Sequence, residues 1–250
     1  MRLGTSGKQL RFYAGGSEDG RIRIWNVKEG SVIHSFAAHA AKIQGLRFSP
    51  DGKLMASSSE DSTIKLWETS EWHLKNTLIG HRSGVYEVAF SPDAKLLLSG
   101  SDDNTARLWS VASGKEVIRP IEHNGPVWAV DFNPDGRSIA TGDEDSIVRF
   151  WKLSGSGTTI QLRDHFVLRI ADGPIWWLRF HDYAGQVYLG IASQDKAVRV
   201  IHMSALAILF SDPERLENEA EERGGLVVGD GPNGMEIVPM QPQNSTGSSP

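Results

Sequence analysis

The sequence contains no cysteine among its 250 residues. Disulfides and thiolate zinc sites are therefore excluded, and a reducing compartment is favoured. It also lacks long hydrophobic runs, since none approaches the roughly 18 apolar residues of a membrane span. The N-terminal stretch MRLGTSGKQLRFY has no apolar segment of the kind found in secretory signals. We therefore expect an intracellular protein that does not span a membrane, and the sequence does not distinguish cytoplasm from nucleus.

An excess of charge of one sign is confined to the C-terminal part of the chain. The whole chain carries a net charge of −5, of which residues 211–250 contribute −6 and residues 1–210 contribute +1. A nearly neutral body gives no overall attraction to nucleic acid, so direct nucleic-acid binding is not expected. The sequence also lacks a glycine-rich phosphate loop and a His-Glu-x-x-His motif. We expect neither a cofactor nor a metal.

Three residue types recur at one spacing along the chain. Trp25 and three later tryptophans are each 42 residues apart, and a histidine series beginning at His39 and an aspartate series beginning at Asp19 keep the same interval. A fixed period of this length indicates a repeat architecture. The members of the three series are Trp25, Trp67, Trp109 and Trp151; His39, His81, His123 and His165; and Asp19, Asp61, Asp103 and Asp145.

Within one repeat the local patterns predict β-strands. The stretch GVYEVAFSPD, residues 84–93, is a short apolar run that ends in a Ser-Pro-Asp turn. KLLLSG predicts a second strand, SDDN a tight turn, and TARLW a third strand with alternating character. GKEVIRPIE can supply a fourth. Four short antiparallel strands in about 42 residues are typical of one propeller blade.

The stretches GHRSGVYEVAFSPD and LSGSDDNTARLW, with their counterparts, resemble the WD-repeat (WD40) family over residues 10–203. The resemblance implies an all-β, WD40-type β-propeller over residues 1–210. About four and a half repeats imply a small or incomplete propeller of four to five four-stranded blades. The repeats end near Trp25, Trp67, Trp109, Trp151 and Ile201.

The fifth repeat departs from the others. DGPIWWLRF echoes NGPVWAVDF 48 residues later rather than 42, and Ile201 stands where tryptophan is expected. We therefore expect the polar network of the other repeats to be broken in this blade, which would make it the least stable. An incomplete ring would also leave blade edges open, through which the chain could self-associate.

Two further segments follow the repeats. Residues 211–225, SDPERLENEAEERGG, combine an N-capping residue, an early proline and good helix formers, and predict a short acidic helix. Residues 226–250 are rich in glycine, proline and serine and predict a disordered tail.

Each full repeat contains a histidine, a hydroxyl residue and an aspartate, which are the ingredients of a hydrolase triad. A triad is needed once, whereas these residues recur with the period of the blade, so no catalytic residue is expected. The resemblance implies that they form a buried structural hydrogen-bond network with the tryptophan. That network comprises His39, Ser57, Asp61 and Trp67; His81, Ser99, Asp103 and Trp109; and His123, Thr141, Asp145 and Trp151.

Two other periodic positions are candidates for partner binding. One lies five residues after the histidine and carries Gln44, Tyr86 and Trp128, with Trp176 at the matching place in the fifth repeat. The other precedes the turn aspartate and carries Glu60, Asp102 and Glu144. The aromatic residues could be interface anchors or could pack between blades. The acids could attract a basic partner, or could be solvated or paired with the basic residue that recurs four positions after the turn aspartate.

The sequence therefore predicts a non-catalytic scaffold for protein–protein interaction, binding a protein or peptide that could be basic. Two alternatives remain open. The chain could be a regulatory or targeting WD-repeat segment of a larger signalling or NTPase-type protein. It could instead be a subunit of an RNA-associated complex.

Overall fold

The computed structural model describes residues 12–155, 160–169, 171–203, 226–231 and 234–239. All regular elements in these ranges are β-strands, arranged in five sheets. Each sheet follows the one before it along the chain, and we call them blades one to five. The predicted acidic helix at 211–225 lies outside the described residues. The described residues include no helix long and apolar enough to cross a membrane.

Blades two to four have four antiparallel strands each, in chain order from the inner strand to the outer one. Blade two comprises β4 (Ile43–Phe48), β5 (Leu54–Ser59), β6 (Thr63–Glu68) and β7 (His73–Ile79). Blade three comprises β8 (Val85–Phe90), β9 (Leu96–Ser101), β10 (Thr105–Ser110) and β11 (Ile121–Glu122). Blade four comprises β12 (Val127–Phe132), β13 (Ser138–Asp143), β14 (Ile147–Ser154) and β15 (Gln161–Arg169).

The two terminal blades have three strands each among the described residues. Blade one comprises β1 (Phe12–Gly16), β2 (Arg21–Asn26) and β3 (Val32–Ala37), which correspond to the second, third and fourth strands, and the described residues contain no counterpart of its inner strand. Blade five comprises β16 (Ile175–Tyr183), β17 (Gln186–Ser193) and β18 (Val198–His202), and no counterpart of its outer strand occurs in the part of the chain that the structure describes. The missing positions fall at opposite ends of the array.

Recurring turn chemistry explains why the repeats fold alike. In the Ser-Pro-Asp turn of blade two, the Ser49 hydroxyl donates to Asp51 over 2.7 Å and accepts from the Leu54 N–H over 2.9 Å. The hairpin between the second and third strands of each blade needs one residue at positive φ. Gly20, Ser62, Asn104, Ser146 and Lys196 take this position, with φ between 64° and 74°.

The core lies between the blades rather than within them. Neighbouring blades pack through their inner strands, and small residues let the next blade approach closely. A Cβ added at Gly142 of β13 would lie 2.6 Å from Cγ2 of Ile175, the first residue of β16. At three of the four interfaces a β-branched residue of the following blade lies against a glycine of the preceding one: Ile43 against Gly16, Val127 against Gly100, and Ile175 against Gly142.

The C-terminal tail differs from its prediction. β19 (Leu226–Gly231) and β20 (Gly234–Pro239) form an antiparallel hairpin, and Val227 of β19 pairs in parallel with Arg169 at the outer edge of blade four. Apolar residues on both sides of the sequence Gly-Pro-Asn-Gly are a hairpin signal. The average composition of 226–250 obscured this local pattern.

Candidate functional site

The repeated histidine, serine, aspartate and tryptophan of blade two form one chain of hydrogen bonds. Trp67 Nε1 donates to Ser57 Oγ over 2.9 Å, and Ser57 Oγ lies 2.7 Å from His39 Nε2. Nδ1 of His39 lies 2.9 Å from Asp61 Oδ2, which also accepts the N–H of Ala40. Blade three repeats these contacts with Trp109, Ser99, His81 and Asp103.

The serine–histidine–aspartate distances match those of a hydrolase triad, but the surroundings do not. Ser57 and Ser99 are completely buried, and the oxygen that would act as nucleophile already accepts a bond from the indole N–H. No substrate carbonyl can reach these hydroxyls without disrupting the blade. In these two blades the arrangement ties the hairpin turn to the strands.

Burial and hydrogen bonding set the protonation states of this network. Burial lowers the pKa of His39, although the charge of Asp61 opposes the shift. Burial acts against ionisation of Asp61, but hydrogen bonds from Thr63, the Ala40 N–H and His39 hold the pKa of its carboxyl below the ordinary value. The pKa of Asp103 is lowered in the same way by His81 and Thr105. In blade two the neutral imidazole of His39 therefore donates to the ionised carboxylate of Asp61.

Blade four uses a different aspartate from the one predicted. Asp143, not Asp145, lies 2.9 Å from Nδ1 of His123, and it also pairs with Arg149 over 3.4 Å. Asp61 and Asp103 each accept a hydroxyl bond from a threonine two residues later, but Ile147 stands at that position in blade four and cannot donate. The exposed Asp145 therefore gives way to the buried Asp143. Trp151 Nε1 still donates to Thr141 over 3.1 Å.

Blade five replaces three of the four network residues with apolar ones. The pairing of β14 with β15 places Ala171, not His165, at the histidine position, because Val148 pairs with Leu168 as Ile64 pairs with Leu78. Ile191 takes the hydroxyl position and Ile201 the tryptophan position, and all three residues are buried. Asp195 remains, and hydrogen bonds from Arg199 and Ser193 lower its pKa.

The predicted partner-binding residues share one backbone feature. In blades two to five the register between the inner strand and the second strand shifts at the second residue of the inner strand. A β-bulge of this kind turns a side chain out of the regular alternation. The residues at these bulges are Gln44, Tyr86, Trp128 and Trp176, which we call the bulge row.

Contacts connect the row from blade to blade. The rings of Tyr86 and Trp128 lie 6.1 Å apart, and those of Trp128 and Trp176 are stacked at 4.6 Å with an interplanar angle of 6°. Half of the Trp176 surface is exposed. Tyr86 and Trp128 therefore pack between neighbouring blades, Trp176 ends the row as an accessible indole, and partner binding by these residues stays a prediction.

Two of the predicted acids hold the row in place. Gln44 donates to Glu60 over 2.8 Å, and Trp128 Nε1 donates to Asp102 over 3.0 Å. Burial and the carboxylates of Asp102 and Glu60 raise the pKa of Tyr86, so its hydroxyl stays protonated and can donate to Asp102. Glu144 is exposed beside Gly125 at the corresponding turn of blade four.

Most of the recurring basic residues are paired within their own blades. Arg107 contacts Glu116 and Arg149 contacts Asp143, while Arg199 lies 2.7 Å from Asp195. Arg23 lies 3.7 Å from Asp19, and Lys65 Nζ donates to the carbonyl of Ala38. These side chains are therefore occupied, in line with the structural alternative for this series.

Sequence reasoning missed a cluster of ion pairs that joins the inner strands of blades two to five. Arg47 lies 2.9 Å from Glu87, which also faces Arg179 at 3.9 Å, and Arg179 lies 3.6 Å from Asp131. These residues come from blades two, three, five and four in that order. Arg47, Asp131 and Arg179 occupy the same position of their inner strands but differ in residue type and charge, so no residue series at the 42-residue period pointed to them. The described residues contain no group of three or more acidic or histidine side chains placed to hold a metal.

The comparisons with known proteins agree with this architecture. The family model described as "WD domain, G-beta repeat" matches residues 30–68, 72–110 and 114–152. Residues 30–152 thus carry three WD40 repeats. WD40 repeats generally mediate protein–protein interaction and are typically non-catalytic.

Two curated relatives share short segments with the chain. A 46-residue segment is 39% identical to transcription initiation factor TFIID subunit 5 of Caenorhabditis elegans, covering 18% of this chain and 7% of the relative. A 51-residue segment is 37% identical to the Lissencephaly-1 homolog of Caenorhabditis briggsae, covering 20% of this chain and 13% of the relative. The chain therefore aligns with only a small part of each relative.

Proposed function

We infer that this protein is a non-catalytic scaffold that binds a basic peptide or protein tail along the bulge row. The observation that carries this proposal is the stacked pair Trp128–Trp176, in which the Trp176 indole is exposed. The carboxylates of Glu60 and Asp102 accept hydrogen bonds from Gln44 and Trp128 of the same row. Aromatic faces and carboxylates both attract a guanidinium or ammonium group.

The geometry favours recognition over chemistry. The Trp128 indole is held by Asp102 and stacked on Trp176, so little side-chain freedom remains to be lost when a partner binds. Trp128 and Gln44 donate hydrogen bonds to Asp102 and Glu60, and these two carboxylates can still attract a cation. The exposed Glu144 would extend this field to blade four.

A second candidate is that the chain acts as an interaction segment within a larger protein or assembly. It is supported by the small share of each relative that the chain covers, and by the name of one relative as a subunit of a transcription initiation factor. The same bulge row would carry binding in either case.

The proposal is tested with a fluorescein-labelled peptide of eight residues that alternates arginine and serine. Binding is followed by anisotropy at low and at high salt, and the affinity should fall as salt rises. Trp176→Ala should weaken binding about tenfold, since it removes the exposed ring. Glu60→Lys with Glu144→Lys should weaken binding and flatten its salt dependence.

Glu71→Lys with Glu29→Lys is the matched control. These two acids are exposed on the loops between the third and fourth strands of blades two and one, away from the bulge row. Equal weakening by the control pair would show that only net charge matters. Unchanged binding and salt dependence in both the Glu60/Glu144 pair and Trp176→Ala would rule out the bulge row.

A further inference from the structure

One face of blade five is uncovered, although the equivalent face of every earlier blade is buried. In the third strands of blades one to four, two inward apolar residues are at most 1% exposed: Ile22 and Ile24, Ile64 and Leu66, Ala106 and Leu108, and Val148 and Phe150. The equivalents in β18 are Val198 and Val200, which are 73% and 58% exposed.

The earlier pairs are buried because the next blade lies on them. At three of these interfaces a β-branched residue of the following inner strand lies against a glycine, as Ile175 does against Gly142. Ala192 has the same place in β17, opposite Trp177 and Val198 in the ladder. Trp177, Ala192, Val198 and Val200 therefore form the preceding half of one more blade interface.

The other half of such an interface is uncovered at the opposite end of the chain. At each of the first three interfaces, the following blade contributes one second-strand residue and its tryptophan to the shared core. The second-strand residues are Met55, Leu97 and Ile139, and all three are completely buried. Their equivalent in blade one is Tyr13, which lies opposite Trp25 in the ladder, and both are only half-buried.

We propose that blade five of one copy docks on blade one of a second copy, head to tail. Val198 and Val200 match the preceding half of the four blade interfaces, and Tyr13 and Trp25 match the second- and third-strand part of the following half, so the contact would continue an interface already built into the chain. Within one chain, no extensive contact joins the two end blades in the described residues. Burying apolar surface drives such an association. A head-to-tail contact repeats until it closes a ring or forms an open chain.

The first test measures molar mass against concentration by sedimentation equilibrium. The unmodified chain should form dimers or larger species, and Val198→Glu with Val200→Glu should weaken the association at least about tenfold. Ile79→Glu is the control, because Ile79 is 76% exposed on the outer strand of blade two and lies outside the proposed contact. Circular dichroism checks folding. A chain that stays monomeric, or a control that dissociates equally, would overturn the proposal.

The second test uses engineered cysteines, since the chain has none of its own. Val198→Cys protein is mixed with Tyr13→Cys protein and oxidised. A disulfide-linked heterodimer that exceeds both homodimers supports head-to-tail docking. A Val198→Cys homodimer as the main product would contradict it. So would an internal disulfide in a chain that carries both Val198→Cys and Tyr13→Cys. A third contradicting result is a monomeric Val198→Cys protein whose thiol resists alkylation. The last would mean that the chain covers this face itself.

Discussion

Asp143 Oδ2 lies 2.9 Å from Nδ1 of His123, in the role that Asp61 has toward His39. Asp143 occurs two residues earlier in its repeat than Asp61 does in its own, at the position of Ser59. The network is therefore defined by its hydrogen bonds and not by the residue number within the repeat.

This relationship predicts opposite outcomes for two neighbouring substitutions. Asp143→Ala should lower the free energy of unfolding by about 3 kcal/mol, because it leaves buried His123 and Arg149 without their carboxylate. Asp145→Ala should change it by less than about 1 kcal/mol, since Asp145 is exposed. Urea denaturation of both variants measures the difference. An equal loss of unfolding free energy in the two variants would mean that Asp145 also has a structural role.

Stability should fall as pH is lowered below the ordinary pKa of histidine. Burial lowers the pKa of His39 in the fold, so the unfolded chain binds a proton that the folded chain resists. The stabilisation is complete above about pH 6.5 and is lost as pH falls through the folded pKa. The urea midpoint should drop between pH 7.5 and pH 5.5, and by less in His39→Gln. A variant with the same pH dependence as the original chain would contradict this origin.

The tryptophan of blade three should matter through both packing and its hydrogen bond. Trp109→Ala should cost about 3–5 kcal/mol. Trp109→Phe should cost less, with about 1 kcal/mol attributable to the lost bond to Ser99. Restoring tryptophan at Ile201 should not stabilise blade five, because Ile191 offers no acceptor for an indole N–H. Thermal unfolding of the three variants distinguishes these effects, and a stabilised Ile201→Trp would count against the argument.

The Trp72→Gly variant should be more stable to unfolding than the Trp72→Ala variant. It has a φ of 60° where the equivalent turns have Gly30 and Gly114, and its ring packs against Phe12 and Phe48 at 6.1 and 6.3 Å. Both substitutions remove the packing, but only glycine removes the left-handed strain. Trp72→Gly should therefore exceed Trp72→Ala by about 1 kcal/mol in unfolding free energy. The reverse order would mean that the turn carries no strain.

Much of the fold could be predicted from the sequence because the local residue pattern of each repeat is enough to indicate its turns and strands. Turn residues such as Ser49 and Asp51, and alternating strands such as Thr105–Ser110, act over a few residues and recur. Reliance on the repeat period and on average composition hid the positions that depart from the pattern. The hairpin at 226–239 was obscured by composition, and the assignment of His165 and Asp145 followed the period where the register did not.

The sequence by itself determined the WD40 repeats, the all-β class and the repeating unit, since a 42-residue period in tryptophan, histidine and aspartate indicates blades built on one plan. Only the tertiary structure decided which side chains meet. The β-bulges turned Tyr86, Trp128 and Trp176 into one row, and Ile147 moved the network of blade four to Asp143. Val198 and Val200 look like any buried strand pair in the sequence. They are exposed because burial depends on the following blade, and no blade lies on them in the described structure.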